Sequence, residues 1–155
     1  MFKFENVDDL KKLEKEAAFP DRLHEKTIYK SLKRVAKNFP SRPAISFQIT
    51  SKPGSKSETY TWSELHEIVV KAANAFRKVG IKKDDVIAFV LPNCSETAIT
   101  FLAGAITGIV NPINALLEPK QISHILRETN AKAIVTLSPM LKTEVCLLYT
   151  SPSPR

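Results

Sequence analysis

The most restrictive feature of the sequence is an unbroken apolar run, VIAFVL, from Val86 to Leu91. A strand with one face toward water alternates apolar and polar residues, and this run does not alternate. Such a strand is typical of a parallel sheet that helices cover on both faces. We therefore expect residues 86–91 to lie inside the sheet of an α/β fold.

The segments on either side of this run predict the same architecture. Before it, Thr61 and Glu64 form a T-x-x-E capping box, which predicts a helix that continues to Gly80. After it, Asn93 and Glu96 occupy capping positions for a second helix. The later segments predict in turn a buried helix, a short strand, a helix and a final strand: NCSETAITFLAGAITG, IVNPIN, LLEPKQISHILRETN and AKAIVTL. This alternation with short connections implies right-handed crossovers and a parallel sheet with flanking helices.

The first part of the chain adds a helix and a hairpin. Residues up to about Glu25 are charged and weakly patterned, which predicts a helix and a surface linker. The amphipathic segment IYKSLKRVAKNF predicts a helix that ends before Pro40 and Pro43. PAISFQIT and ETYTW then read as two strands, joined by SKPGSKS, whose Pro-Gly step marks a turn.

The net charge of +7 is spread along the chain without a long block of like charges. The densest basic segment is IYKSLKRVAKNF, in which Ile28, Leu32 and Phe39 share one helical face while Lys30 and Lys33 lie on the others. A solvated helix face explains this pattern better than a nucleic-acid or membrane surface. We therefore expect no nucleic-acid partner, and peripheral contact with a membrane stays open.

Two features bear on membranes and targeting. The start MFKFENVDDLKKLEKE lacks an apolar signal core, which favours a cytoplasmic protein. Residues 97–117 carry no charge, but the apolar part, 98–110, is interrupted by Thr and Gly and is followed by Asn-Pro. A run of this length is more typical of a buried core helix than of a transmembrane span.

The sequence predicts no catalytic, cofactor-binding or metal-binding residue. None of Gly54, Gly80, Gly104 and Gly108 lies in a predicted strand-to-helix turn, and no dinucleotide or P-loop motif is present. Gly104 and Gly108 form G-x-x-x-G, which in a helix of this kind predicts close packing followed by a helix end.

The cysteine and histidine residues predict neither a nucleophile nor a metal site. Cys94 lies near a predicted helix start, where a thiol can become more acidic, but a structural role is favoured because no histidine is nearby in sequence. His24, His66 and His124 are widely separated and match no metal-ligand spacing.

Three stretches together resemble the N-terminal region of the adenylate-forming (AMP-binding) acyl-CoA synthetases. They are TYTWSEL with the helix up to Gly80, DVIAFVLPNCSE, and GIVNPINALLEPKQISHILRETNAKAIVTL. The resemblance covers roughly Thr27 to Val145, and its last stretch is most similar to the bacterial fatty-acyl-CoA synthetase branch. Ala115 departs from that pattern, since a proline is expected between Asn114 and Leu116.

This resemblance implies the N-terminal part of the large domain of an adenylate-forming enzyme, with a parallel sheet, flanking helices and an N-terminal hairpin. It implies a ligase that activates a fatty acid or related carboxylate with ATP and Mg²⁺ to acyl-AMP and then transfers the acyl group to CoA. The family uses a Ser/Thr/Gly-rich phosphate loop with a lysine, a Tyr-x-x-Thr-Glu segment, a ribose-binding aspartate and a lysine on a mobile C-terminal domain. None of these occurs here, so we expect the chain alone to be inactive.

The last ten residues, CLLYTSPSPR (146–155), differ in character from the rest. The codons TGT CTC TTA TAC ACA TCT CCG AGC CCA CGA, which resemble a transposase-type sequencing adapter, encode this decapeptide. We favour this origin over a native disordered tail. The expected organisation is an incomplete AMP-binding portion, 1–145, followed by a non-native segment, 146–155.

The alternative function is that of a small noncatalytic α/β binding or interaction module that ends near residue 155. It is disfavoured because a sheet that ends after AKAIVTL would leave a strand edge and apolar faces uncovered.

Overall fold

Helices and strands alternate through the computed structural model, which describes residues 5–17, 19–48, 50 and 52–137. The helices are α1 (Val7–Glu16), α2 (Phe19–Arg22), α3 (Ile28–Asn38), α4 (Trp62–Lys78), α5 (Ser95–Thr107) and α6 (Pro119–Glu128). The strands are β1 (Pro43–Gln48), β2 (Ser57–Thr61), β3 (Val86–Val90), β4 (Ile109–Pro112) and β5 (Ala131–Thr136). The predicted order of elements is confirmed except for α2, which lies where a linker was expected. The expectation for residues 146–155 lies outside the described residues.

The apolar run forms the central strand of a parallel sheet with the order β4-β3-β5. Ala88 and Val90 pack with Ile122 of α6, whereas Ile87 lies against α5 near Gly104. Because successive side chains of a strand point to opposite faces, α5 and α6 cover opposite faces of the sheet. The predicted burial of this strand on both faces is confirmed.

The second layer joins α3, α4 and α5 to an antiparallel hairpin of β1 and β2. The capping box that begins α4 is present, since Thr61 N donates to Glu64 Oε2 at 2.8 Å and Glu64 N donates to Thr61 Oγ1 at 3.3 Å. Gly80 follows the helix with φ of 90°, as its position predicts. The buried residues shared by this layer are Leu32, Leu65, Val69, Ala73 and Ala103.

One local prediction was wrong. Helix α5 begins after Cys94, which is its N-cap residue and makes no side-chain capping hydrogen bond, so Asn93 does not cap it. The apolar face of α3 is buried only at its centre, at Leu32 and Ala36, while Ile28 and Phe39 at its ends are 42% and 45% exposed. The error in α5 concerns a helix end, where the neighbouring loop decides the geometry.

The uncharged region 97–117 divides between a helix, a strand and a loop. Its helix, α5, is 13 residues long and ends at the C-cap Gly108. In the part of the chain that the structure describes, no helix has both the length and the apolar character that crossing a bilayer requires.

Asp85 precedes β3 and forms hydrogen bonds with the amino ends of the two neighbouring strands, β4 and β5. Its carboxylate Oδ2 accepts hydrogen bonds from Lys82 N at 2.6 Å and from Lys132 Nζ of β5 at 2.9 Å. Its backbone carbonyl accepts from Ile109 N of β4 at 2.9 Å. The hydrogen bond from Lys132, and then that from Lys82, lower the pKa of the Asp85 carboxyl below its ordinary value.

These contacts predict an acid-dependent contribution of Asp85 to stability. A carboxyl whose pKa is lower in the folded state stabilises the fold above its unfolded pKa, about 3.9, and loses this effect as the pH falls through the folded value. We expect Asp85→Asn to lower the free energy of unfolding near neutral pH and the difference from the unaltered chain to disappear in acid. Urea denaturation, followed by the fluorescence of the single tryptophan, Trp62, at several pH values measures this difference.

Glu67→Gln is the matched control for Asp85→Asn. It removes a carboxylate paired with Lys71 at 3.6 Å on the exposed side of α4, and such surface pairs contribute little. A difference for Asp85→Asn that is the same at neutral and acidic pH would contradict the assigned role of its charge.

Candidate functional site

The candidate site lies where the central strand ends and α5 begins, because parallel α/β sheets bind ligands beyond the carboxyl ends of their strands. Residues 91–94 lead from β3 into the first turn of α5. The hairpin packs beside this turn and leaves a cavity of about 540 Å³ between β1 and α5. Its lining is mostly apolar, with polar groups near the helix start: Ile45, Ser46, Phe47, Asn93, Cys94, Ser95, Thr97, Ala98, Phe101 and Leu102.

The register of the hairpin decides which of its side chains share a face. Ile45 is paired with Tyr60, and Phe47 is paired with Glu58. Residues directly opposite each other in an antiparallel pair share a face, as do residues two apart in one strand. Ile45, Phe47, Glu58 and Tyr60 therefore form one face, which we call the inner face because Ile45 and Tyr60 pack against the buried core.

Glu58 connects the inner face to the start of α5. Its carboxylate accepts hydrogen bonds from Ser95 Oγ at 2.6 Å and from Tyr60 Oη at 2.7 Å. Ser95 is only 1% exposed, whereas Glu58 is exposed. The bond from Ser95, and then that from Tyr60, lower the pKa of Glu58, and the same contact with Glu58 raises the pKa of Tyr60.

The surroundings of this network are acidic. Besides Glu58, the charges of Glu96 on α5 and Glu64 on α4 also raise the pKa of Tyr60. A phosphate group at the start of α5 would therefore meet carboxylates, and the Glu58 carboxylate already lies beside the positive end of the helix dipole. The residues here favour an uncharged, largely apolar ligand over a nucleotide.

The structure does not assemble the cysteine and the histidines into one site. Cys94 is partly buried, with Sγ 3.3 Å from Thr97 Oγ1, which donates to the Pro92 carbonyl. His66 lies on α4 with its ring 6.1 Å from that of Tyr29, and the other two lie in different segments, His24 before α3 and His124 on α6. Among residues 5–17, 19–48, 50 and 52–137, no group of His, Cys, Asp or Glu side chains could hold a metal ion.

A second, more apolar groove of about 500 Å³ lies between α3, β1, α4 and α5. Leu32, Trp62, Leu65 and Leu102 contribute to its walls. Neither the Glu58 network nor this groove could be predicted from the sequence, because each depends on contacts between segments that are far apart in the chain.

The comparisons with known proteins agree with the fold described above. A family model described as "AMP-binding enzyme" matches residues 32–152. The chain is 31% identical over 134 residues to a marinolic acid–CoA ligase of Pseudoalteromonas sp. (strain SANK 73390), covering 86% of this chain and 20% of the relative. It is 33% identical over 84 residues to 4-coumarate–CoA ligase 1 of Arabidopsis thaliana, covering 54% of this chain and 15% of the relative.

Solved structures show the same fold at lower identity. A fatty acyl CoA synthetase of Mycobacterium tuberculosis has a TM-score of 0.68 at 22% identity, over 83% of this chain and 24% of that one. The N-terminal domain of FACL13 from the same organism has a TM-score of 0.67 at 22% identity, over 84% of this chain and 31% of that one. The predicted fold class is thus confirmed, and the chain spans about a fifth or less of the length of the curated relatives named above.

Proposed function

This chain belongs to the AMP-binding enzyme family, and from that premise we propose that it is the N-terminal part of an ATP-dependent acyl-CoA ligase. The family match over residues 32–152 carries the proposal. The two curated relatives, both named as CoA ligases, support the reaction type. The proposed reaction joins a carboxylic acid to CoA through an acyl-adenylate.

We propose a fatty acid or a related apolar carboxylate as the substrate. The support is the sequence GIVNPINALLEPKQISHILRETNAKAIVTL, which resembles the bacterial fatty-acyl-CoA synthetase branch. In this reaction a carboxylate oxygen attacks the α-phosphorus of ATP and pyrophosphate leaves. The CoA sulfur then attacks the acyl carbon, AMP leaves with the bonding electrons of its oxygen, and the thiol proton passes to solvent.

The described residues do not fit ATP or its magnesium ion. The start of α5, where a parallel sheet could offer backbone N–H groups to a phosphate, is bordered by the carboxylate of Glu58, and Glu96 lies in its first turn. The groups that bind the nucleotide are therefore proposed to belong to the remainder of a longer protein. In that protein, residues 1–145 would serve as a scaffold for the larger domain, and residues 146–155 would be foreign to it.

Sequencing the gene across the codon for Val145 tests the boundary. We expect the uninterrupted reading frame to encode a different sequence from CLLYTSPSPR after Val145. Soon afterwards it should encode a Ser/Thr/Gly-rich loop with a lysine. The family match extends to residue 152, past this boundary, so the sequence at this junction is decisive. A transcript that encodes residues 146–155 and then stops would refute the boundary and favour a noncatalytic α/β module.

Enzyme assays test the activity. We expect the product of the uninterrupted gene to catalyse carboxylate-dependent exchange between ATP and pyrophosphate, with a fatty acid or a related apolar carboxylate as a better substrate than acetate. We expect the chain of 155 residues to show no exchange above background under the same conditions. Exchange by the short chain alone, or none by the longer protein with any carboxylate, would contradict the proposal.

A further inference from the structure

We propose that a cavity between α3, α4 and α5 binds a small organic anion, a carboxylate with an apolar body, and that Arg77 holds the carboxylate group. The cavity has a volume of about 610 Å³, which falls within the range of small-molecule sites. It shares no lining residue with the cavity at the start of α5. The site depends on residues of this chain alone and is independent of the proposed ligase activity.

The cavity lies where the amino end of α3 meets the later turns of the other two helices. Thr27 and Tyr29 border it at the start of α3. Helix α4 contributes side chains between Val70 and Arg77, and α5 contributes Ala105 and Ile106 from its last turn. The three helices also share the buried residues of the second layer. The core beneath the cavity therefore fixes the relative positions of its walls.

Arg77 supplies a positive charge that no carboxylate of the described residues offsets. Its guanidinium donates from Nη1 to Asn74 Oδ1 at 3.2 Å and from Nη2 to the Ile106 carbonyl at 3.4 Å. Both acceptors are neutral, and Arg77 takes part in none of the ion pairs within residues 5–17, 19–48, 50 and 52–137. A guanidinium has five N–H groups, so three remain without a partner in the part of the chain that the structure describes.

The two hydrogen bonds of Arg77 hold its guanidinium between α4 and α5. The bond to Asn74 stays within α4, whereas the bond to Ile106 joins residues that are 29 positions apart. A side chain that is already held in place loses less freedom when a ligand binds. The planar fork of a guanidinium also matches the two oxygens of a carboxylate. Because Arg77 is exposed, a ligand can reach it directly from solvent.

The other walls of the cavity suit an apolar body with a single negative charge. Val70, Ala73, Ala105 and Ile106 give it apolar surface, and contact with such surface favours apolar groups. Among the described residues, its lining contains no charged side chain besides Arg77. One guanidinium balances the charge of one carboxylate but not the two charges of a phosphate group. The cavity therefore favours an amphipathic carboxylate over inorganic phosphate or a nucleotide.

Titration with hexanoate, followed by NMR of the ¹⁵N-labelled chain of 155 residues, tests the site. We expect saturable shifts of the amide signals of residues 27–29, 70–77 and 105–106. The indole N–H of Trp62, which borders the second groove, should not shift. Hexan-1-ol has the same apolar body without the charge and should bind about tenfold more weakly, as should inorganic phosphate.

Substitution of Arg77 separates its charge from the shape of the cavity. Arg77→Gln should weaken hexanoate binding about tenfold but hexan-1-ol binding less than about twofold, because the alcohol does not need the charge. Arg77→Lys keeps the charge without the planar fork, so hexanoate binding should weaken about threefold. Lys78→Gln is the matched control. It removes one positive charge from the next residue of α4, which does not line the cavity, and should change hexanoate binding less than about twofold.

Four results would overturn the proposal. The first is a titration in which hexanoate causes no saturable shifts, or in which the largest shift is that of Trp62. The second is equal weakening by Arg77→Gln and Lys78→Gln, since binding would then follow net charge. The third is equal loss of hexanoate and hexan-1-ol in Arg77→Gln, which would mean that Arg77 supports the walls without holding the carboxylate. The fourth is binding of inorganic phosphate as tight as that of hexanoate, which would exclude a role for the apolar walls.

Discussion

Ile87→Ala is expected to lower the free energy of unfolding by about 2–5 kcal/mol. Ile87 is fully buried in the central strand, on the face that α5 covers. Its ladder neighbours are Val110 on β4 and Ala133 on β5, so the backbone around it is held on both sides and cannot collapse into the vacated space. The cost therefore includes both the lost burial of the side chain and the cavity that remains.

The measurement is urea denaturation followed by circular dichroism and by the fluorescence of Trp62. Ile109→Ala is a matched control, because it removes the same side chain from the neighbouring strand β4, where Ile109 is 51% exposed. Its cost should remain below about 1 kcal/mol. Ile87→Val should fall between the two, at about 0.5–1.5 kcal/mol. Equal losses for Ile87→Ala and Ile109→Ala would show that the strand is not covered on both faces.

The sequence predicts those parts of the fold that depend on local patterns. The apolar run of β3 implies coverage on both faces, and the parallel sheet follows from it. The capping box at Thr61 and Glu64 fixes the start of α4, because its donors and acceptors lie within one helical turn. The left-handed position at Gly80 likewise follows from a local requirement.

The candidate site could not be predicted in the same way. Glu58 and Ser95 are 37 residues apart, and neither belongs to a motif that indicates their contact. The start of α5 was assigned to Asn93 from capping preference, but the turn after β3 makes Cys94 the N-cap residue and lets Thr97 donate to Pro92 instead. The position of the hairpin on α5 decides both features, and that position is set by packing between separate elements.

Gly108→Ala is expected to lower the free energy of unfolding by about 2–4 kcal/mol. The φ of Gly108 is −154°, which lies outside the left-handed region that favours glycine. The requirement is space: a Cβ at this position would lie 2.5 Å from the Asp85 carbonyl oxygen and 2.9 Å from that of Lys82. Both obstacles are backbone atoms, which cannot rotate away as a side chain could.

The same substitution should disturb the junction of the sheet. Ile109 N, next to Gly108, donates to the Asp85 carbonyl at 2.9 Å, so relief of the clash separates the amino ends of β3 and β4. Gly54→Ala is the control, since it adds the same methyl group in open space at a φ of 77° and should cost only about 1–2 kcal/mol. Urea midpoints, together with hydrogen exchange of β4, distinguish the two effects. Equal stability of Gly108→Ala and the unaltered chain would mean that the turn of residues 82–85 can move at no cost. In that case Asp85 could not hold the three strands in a fixed position.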